Sequence, residues 1–251
     1  DINATIIIDL EGKTEEDVWK MIKRSRRKSI NIAKKNGLYY VHAYSEKDLE
    51  KMYGINNRVL IEGETTPRAY KSWRKYIESA KAQFFYIMKE EEIVGCFALS
   101  EISLRYFGID SDKIGIRPMV FATLKEFNEY KPNDFMYWCS LLYSLKGKYS
   151  FLELGGYQIK PRGHLKGINF FKETWGGKIV YYYLDYSFLN ALRRKLIRNI
   201  GLFWYLNIFL KKITRRVSRE ILKMPPQGIE PHSPPSKDGV LTLHHGGKVK
   251  K

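Results

Sequence analysis

Two short runs commit this chain to a β-sheet. Phe84–Lys89 (FFYIMK) and Ile93–Glu101 (IVGCFALSE) are rich in β-branched and aromatic residues, and Glu90, Glu91 and Glu92 separate them. Such runs around a short polar turn form an antiparallel hairpin. A hairpin alone is marginal in water, so further strands and helices must cover it. Ala4–Leu10 (ATIIIDL), Leu38–His42, Tyr149–Leu154 and Lys178–Asp185 have the strand character to do so. Thr14 with Glu15, Glu16 and Asp17 is a helix start: a capping hydroxyl, then acids at the positive end of the helix dipole. Val18, Trp19, Ile22, Ile30 and Ala33 extend it as one apolar stripe until Asn36-Gly37 stops it. Ser45–Tyr53, Arg68–Ala82, Pro132 to Leu145, and Leu165–Trp175 read as further helices. Ile114–Phe127 is ambiguous because Pro118 lies inside it, and an edge strand or a short helix–strand mix both fit. The order predicts an α/β fold: a mixed β-sheet flanked by helices.

The charge is large and local. Across 251 residues, 44 Lys and Arg against 27 Asp and Glu give +17. Lys20–Lys35 carries +8 with no acid, and Asn190–Lys223 carries +9. The remainder is close to neutral, so the charge points to two phosphate-seeking segments rather than to a coat over the whole molecule. Helix Lys20–Lys35 reads either as a face for a phosphate-bearing ligand or as a solvated surface. In the second segment, Ile200–Leu210 (IGLFWYLNIFL) is apolar between cations. Eleven residues cannot cross a hydrocarbon core that needs about twenty. It fits an amphipathic helix lying on a membrane, or a helix packed on another domain. Cys96 and Cys139 are the only cysteines, which excludes a disulfide scaffold and a zinc ribbon and favours a reducing cytosol. No metal site is expected.

Met224–Lys251 is rich in proline and holds three of the five histidines, and it reads as a disordered tail. Its Gly228-Ile229-Glu230-Pro231 is what GGG-ATT-GAA-CC would encode, the reverse complement of a tRNA T-arm sequence. On that reading His232, His244 and His245 are no metal site.

Four segments carry a family resemblance. They are Ser25-Arg26-Arg27 through Lys34-Lys35-Asn36-Gly37, Pro132-Asn133-Asp134-Phe135-Met136-Tyr137-Trp138, Phe151-Leu152-Glu153-Leu154-Gly155-Gly156, and Phe170-Phe171-Lys172 with Trp175-Gly176-Gly177. In this order they resemble motifs of FemAB-like proteins over roughly residues 1–186. That family is similar to tandem GNAT folds, the acyl-CoA N-acyltransferase type. Its typical members move an amino acid from aminoacyl-tRNA to an amine of a peptidoglycan precursor.

The resemblance implies a linking strand at 1–12 from a largely missing first domain and a GNAT-like domain at 13–186. A basic helical segment at 187–223 and the tail at 224–251 follow. It implies Lys172 and Phe171 at the reacting centre. Gly155, Gly156, Lys160, Arg162, Arg26 and Arg27 become candidates for binding substrate or phosphate. Glu153 stands where the family has Asp, either orienting a neighbour or facing out. His164 is a candidate base or a plain surface residue. No cofactor is implied beyond the donor substrate, aminoacyl-tRNA or acyl-CoA. The acceptor would be an amine, lipid-linked if 190–223 lies on a membrane, which places the protein in the cytoplasm at the inner membrane face. The Q/R-x-x-G-x-G/A phosphate loop of ordinary acetyltransferases is not met; Arg162-Gly163 comes nearest, at the wrong spacing. The alternative is a basic RNA- or membrane-binding module without catalysis.

Overall fold

The computed structural model describes residues 2–43, 45–63 and 65–183. The expectations for 187–223 and for the tail lie outside the described residues. In chain order the elements are β1 (Ile2–Asp9), α1 (Glu15–Met21), α2 (Arg24–Lys35), β2 (Leu38–Ala43), α3 (Glu46–Glu62), α4 (Tyr70–Ser79), β3 (Gln83–Lys89), β4 (Glu92–Ser103), β5 (Ile114–Thr123), α5 (Pro132–Lys146), β6 (Phe151–Tyr157), α6 (His164–Glu173) and β7 (Lys178–Tyr183). Two 3-10 turns, Leu104–Phe107 and Lys125–Tyr130, flank β5. The strands form one mixed sheet in the order β2-β3-β4-β5-β6-β1-β7. Strand β1, expected as a lead-in from another domain, lies inside this sheet between β6 and β7.

Alternation along the strands divides the core between two faces. On one face Val18 of α1, Ile30 and Ala33 of α2, and Ile22 between the two helices, with Phe135, Trp138 and Leu141 of α5, cover Ile6, Ile8, Phe85, Phe97, Leu152 and Leu154. On the other, Leu49 and Met52 of α3 and Trp73 and Ile77 of α4 cover Tyr86, Cys96, Ala98, Val120 and Ala122. Ile102 and Phe107 close the end of that second face over Phe151. Cys96 and Cys139 are free and fully buried, and burial pushes both thiols up, away from reactivity.

Two sequence expectations are corrected. The stripe from Val18 to Ala33 is two helices, because Ile22 turns extended and the Lys23 N–H donates to the Thr174 carbonyl at 3.0 Å. That bond turns α2 toward the segment carrying α6. Strand β5 is interior, between β4 and β6, with Pro118 inside it. Proline is tolerated because the ladders around it are already broken. The β4–β5 register shifts between Ala98 and Leu99, and Leu99 pairs with Pro118.

The β5–β6 pair is the parallel one, and it is short. Only Gly115 with Phe151 and Ile116 with Leu152 are paired. Gly115 is needed there, since a Cβ would sit 2.5 Å from the Phe151 ring and carbonyl. Beyond Ile116 the two strands no longer pair. β5 continues from Arg117 and β6 from Glu153, so the sheet opens at its centre.

Candidate functional site

Side chains from β1, β5, β6, α2, α5 and α6 meet at this opening. Lys172 of α6 is 8% exposed, and its ammonium donates to the Gly156 carbonyl at 2.8 Å. Gly155 permits the approach. Its φ is +78°, and a Cβ there would lie 3.4 Å from Lys172 Nζ. The motif pair Gly155-Gly156 and the motif lysine are therefore one feature: a strand end shaped to receive an ammonium.

Glu153, two residues earlier, is also buried, at 6% exposure. Thr5, fully buried on β1, lies in hydrogen-bond contact with the Glu153 carboxyl, and its hydroxyl is 3.1 Å from the Gly155 carbonyl. A hydroxyl has one proton, so it cannot donate to both. The Thr5 hydroxyl donates to the Glu153 carboxyl or to the Gly155 carbonyl, and so ties the carboxyl to the glycine turn. Burial pushes the Glu153 carboxyl up, while Thr5, Lys172 and Arg117 act against that shift. Burial likewise pulls the Lys172 ammonium down, with Glu153 opposing. Of the two options for Glu153, the structure selects the one that orients a neighbour.

Phe171 ties this centre to the basic helix. Arg26 lies over the Phe171 ring at 4.9 Å and pairs with the Asp134 carboxylate at 2.7 Å. Tyr137 packs edge-on against the same ring at 5.1 Å. Burial pushes the Asp134 carboxyl up, and Arg26 opposes that. Arg26 thus links α2, α5 and α6. Lys34 also turns inward, 5.2 Å from the Trp138 ring centre. Part of the charge on α2 is therefore structural.

The structure brings together Lys172, Phe171, Gly155, Gly156 and Arg26. Lys160 and Arg162 stand exposed in the loop between β6 and α6, and Arg27 is half-exposed on α2. Among the described residues no bond ties these three to the cluster. His164 opens α6. The helix following the open strand offers little to a pyrophosphate. Its first residue is Pro132, which has no N–H, and Asp134 adds a carboxylate to the same turn.

Sequence reasoning missed Thr5 and Arg117. Each had a faint signal: Thr5 is a hydroxyl in the run ATIII, and Arg117 is a cation inside the apolar run IGIRPMVFA. Arg117 Nε is buried with no hydrogen-bond partner.

No protein-family model matches this sequence, and no curated protein matches it. Its structure is similar to that of FemX, with a TM-score of 0.58 at 12% identity, over 78% of this chain and 63% of FemX. It is also similar to the C-terminal domain of a putative lysylphosphatidylglycerol synthetase from Agrobacterium fabrum. There the TM-score is 0.50 at 14% identity, over 72% of this chain and 58% of the other. The chain thus spans less than two thirds of either protein. At these identities the likeness establishes the fold alone, a mixed sheet flanked by helices.

Proposed function

We propose that this domain transfers an aminoacyl group from aminoacyl-tRNA to an amine of a cell-envelope precursor. The observation that carries the reading is the buried Lys172 ammonium, held at the mouth of an opened parallel strand pair. One of its three N–H groups goes to Gly156, which leaves two for a substrate oxygen. The acceptor amine attacks the ester carbonyl, and a C–N bond forms. The oxygen of the tetrahedral intermediate takes up negative charge, which the Lys172 ammonium stabilises. The C–O ester bond then breaks. The amine's proton passes to the departing ribose oxygen, the stronger base, so the atoms balance without a protein base.

Phe171 and Arg26 hold α6 so that Lys172 stays in place. The cations of α2 and the loop pair Lys160 and Arg162 are the proposed contacts for RNA phosphate. Peripheral membrane contact through 190–223 would suit a lipid-linked acceptor. The first turn of α5, with Pro132 and Asp134, disfavours the acyl-CoA alternative, because a pyrophosphate would meet a carboxylate where it needs amides. FemX and the synthetase domain share the fold and make aminoacyl transfer the first chemistry to test.

The test supplies the chain with tRNA carrying a radiolabelled amino acid and with a peptidoglycan-precursor peptide bearing a free amine. The reading expects label on the peptide. Label on the peptide with acetyl-CoA as donor and none with aminoacyl-tRNA would replace it by the acyl-CoA reading. Tight tRNA binding with no transfer from either donor would replace it by a binding module.

A further inference from the structure

Arg117 is a half-buried cation whose buried Nε has no hydrogen-bond partner. Among the described residues its guanidinium makes no hydrogen bond or ion pair, and its buried Nε is unsatisfied. The Tyr106 ring lies 5.3 Å from the guanidinium, and Arg117 is near enough to Glu153 to oppose the upward push on its carboxyl. The fold explains its place. Arg117 follows Ile116, the last residue of β5 paired to β6, so it stands where the sheet opens.

The opening there forms a half-open recess. Its volume is about 170 Å³, and Arg117, Glu153, Tyr76, Tyr106, Phe107 and Tyr182 form its walls. Liquid water takes about 30 Å³ per molecule, so the space holds roughly five or six non-hydrogen atoms. Its lining mixes the rings of three tyrosines and a phenylalanine with polar groups, and it is wide enough for a short carbon chain. Glu153 faces it too, and burial pushes its carboxyl up, toward the neutral form. Arg117 is the one cation among the lining residues, and the Lys172 ammonium lies behind the glycine pair. A planar fork with one positive charge matches a planar group with one negative charge.

We propose that this cavity is a subsite for a small carboxylate, gripped in bidentate fashion by Arg117 and seated against the Tyr106 ring. Its size fits one small amino-acid residue, free or at the carboxyl end of a peptide. The inference stands on the cavity and Arg117 and holds whatever group the domain transfers.

Titration calorimetry on the full chain tests it. Alanine, N-acetylalanine, N-acetylalaninamide and inorganic phosphate are the probes. Alanine or N-acetylalanine should bind, and the amide should bind at least about tenfold more weakly, since a hydrogen-bonded charge is lost. Tighter binding of N-acetylalanine marks a peptide terminus as the source, and tighter binding of alanine marks the free amino acid; both support the subsite. Arg117→Gln should weaken carboxylate binding about tenfold or more. Met119→Trp fills the cavity from a wall residue and leaves Arg117 in place. It should abolish binding, and it decides the matter if Arg117→Gln does not fold. Equal affinity for acid and amide, tighter binding of phosphate, or undiminished carboxylate binding by Met119→Trp overturns the proposal.

Discussion

Replacing Glu153 by glutamine should stabilise the domain above pH 5. The structure gives the reason. Glu153 is buried, it bonds to Thr5, and burial raises its proton affinity above that of the unfolded chain. Between the unfolded carboxyl value, about 4.3, and the raised folded one, the native state binds more protons than the unfolded state. Stability therefore falls as pH rises through that window. The glutamine amide cannot titrate, yet it can still donate to Thr5, so the variant keeps the bonds and loses the pH dependence. Each tenfold gain in proton affinity on folding corresponds to about 1.4 kcal/mol. In a domain of this size that is about 3–5 °C of Tm. The assay is thermal melting followed by circular dichroism, at intervals from pH 4 to pH 8. The two proteins should melt together near pH 4. The variant should lead increasingly as pH rises, until Glu153 ionises in the native state as well. Thr5→Val, which removes the linking hydroxyl, should cost about 1–3 kcal/mol. A glutamine variant less stable than the parent at pH 8 and equal to it at pH 4 would refute the reasoning. Glu153 would then be an ionised partner of Lys172.

Three further outcomes follow from the same geometry. Gly155→Ala forces a side chain to φ +78° beside Lys172 and should cost about 1–2 kcal/mol, whereas Gly156→Ala meets nothing within 4 Å and should melt within about 0.5 kcal/mol of the parent. Arg26→Ala leaves the buried Asp134 carboxylate without its partner. It should destabilise the domain by about 1–3 kcal/mol at neutral pH, a part-buried pair being worth less than a fully buried one. The cost should shrink on acidification as Asp134 takes a proton, and adding Asp134→Asn should restore part of the loss; urea unfolding at two pH values reads both effects.

The hairpin, most helices and every strand but β5 are legible in the sequence, because alternation and capping are local signals. Thr14 illustrates this: its capping box with Asp17 is visible in four consecutive residues. The break between α1 and α2 is not legible, since it depends on the Thr174 carbonyl, far away in the chain. The interior position of β5 is hidden for a similar reason. Pro118 argues for an edge, and the bulge and strand opening that accommodate it are properties of the sheet. At the site, Lys172, Phe171 and the glycine pair stand out only as pieces of a family pattern. Their convergence at 2.8 Å depends on α6 folding back along β6. Thr5 and Arg117 carry no motif at all. A hydroxyl in an apolar strand gains meaning only once the carboxyl it serves is known, and a cation gains it only beside a cavity. Arg26 shows the converse. Its place in an acid-free basic run reads as a phosphate contact, yet the structure joins it to Asp134 and Phe171.

The central claim is that the Lys172 ammonium stabilises charge in an acyl-transfer transition state. Single-turnover transfer from aminoacyl-tRNA to a peptide amine, comparing the parent with Lys172→Met, tests it most directly. Methionine keeps the length and apolar stem of the buried side chain and removes the charge. The account predicts a fall in rate of about 100-fold or more, the usual worth of one such donor, with tRNA affinity changed by less than a few-fold and the fold intact by circular dichroism. A folded Lys172→Met protein that transfers at the parental rate would contradict it.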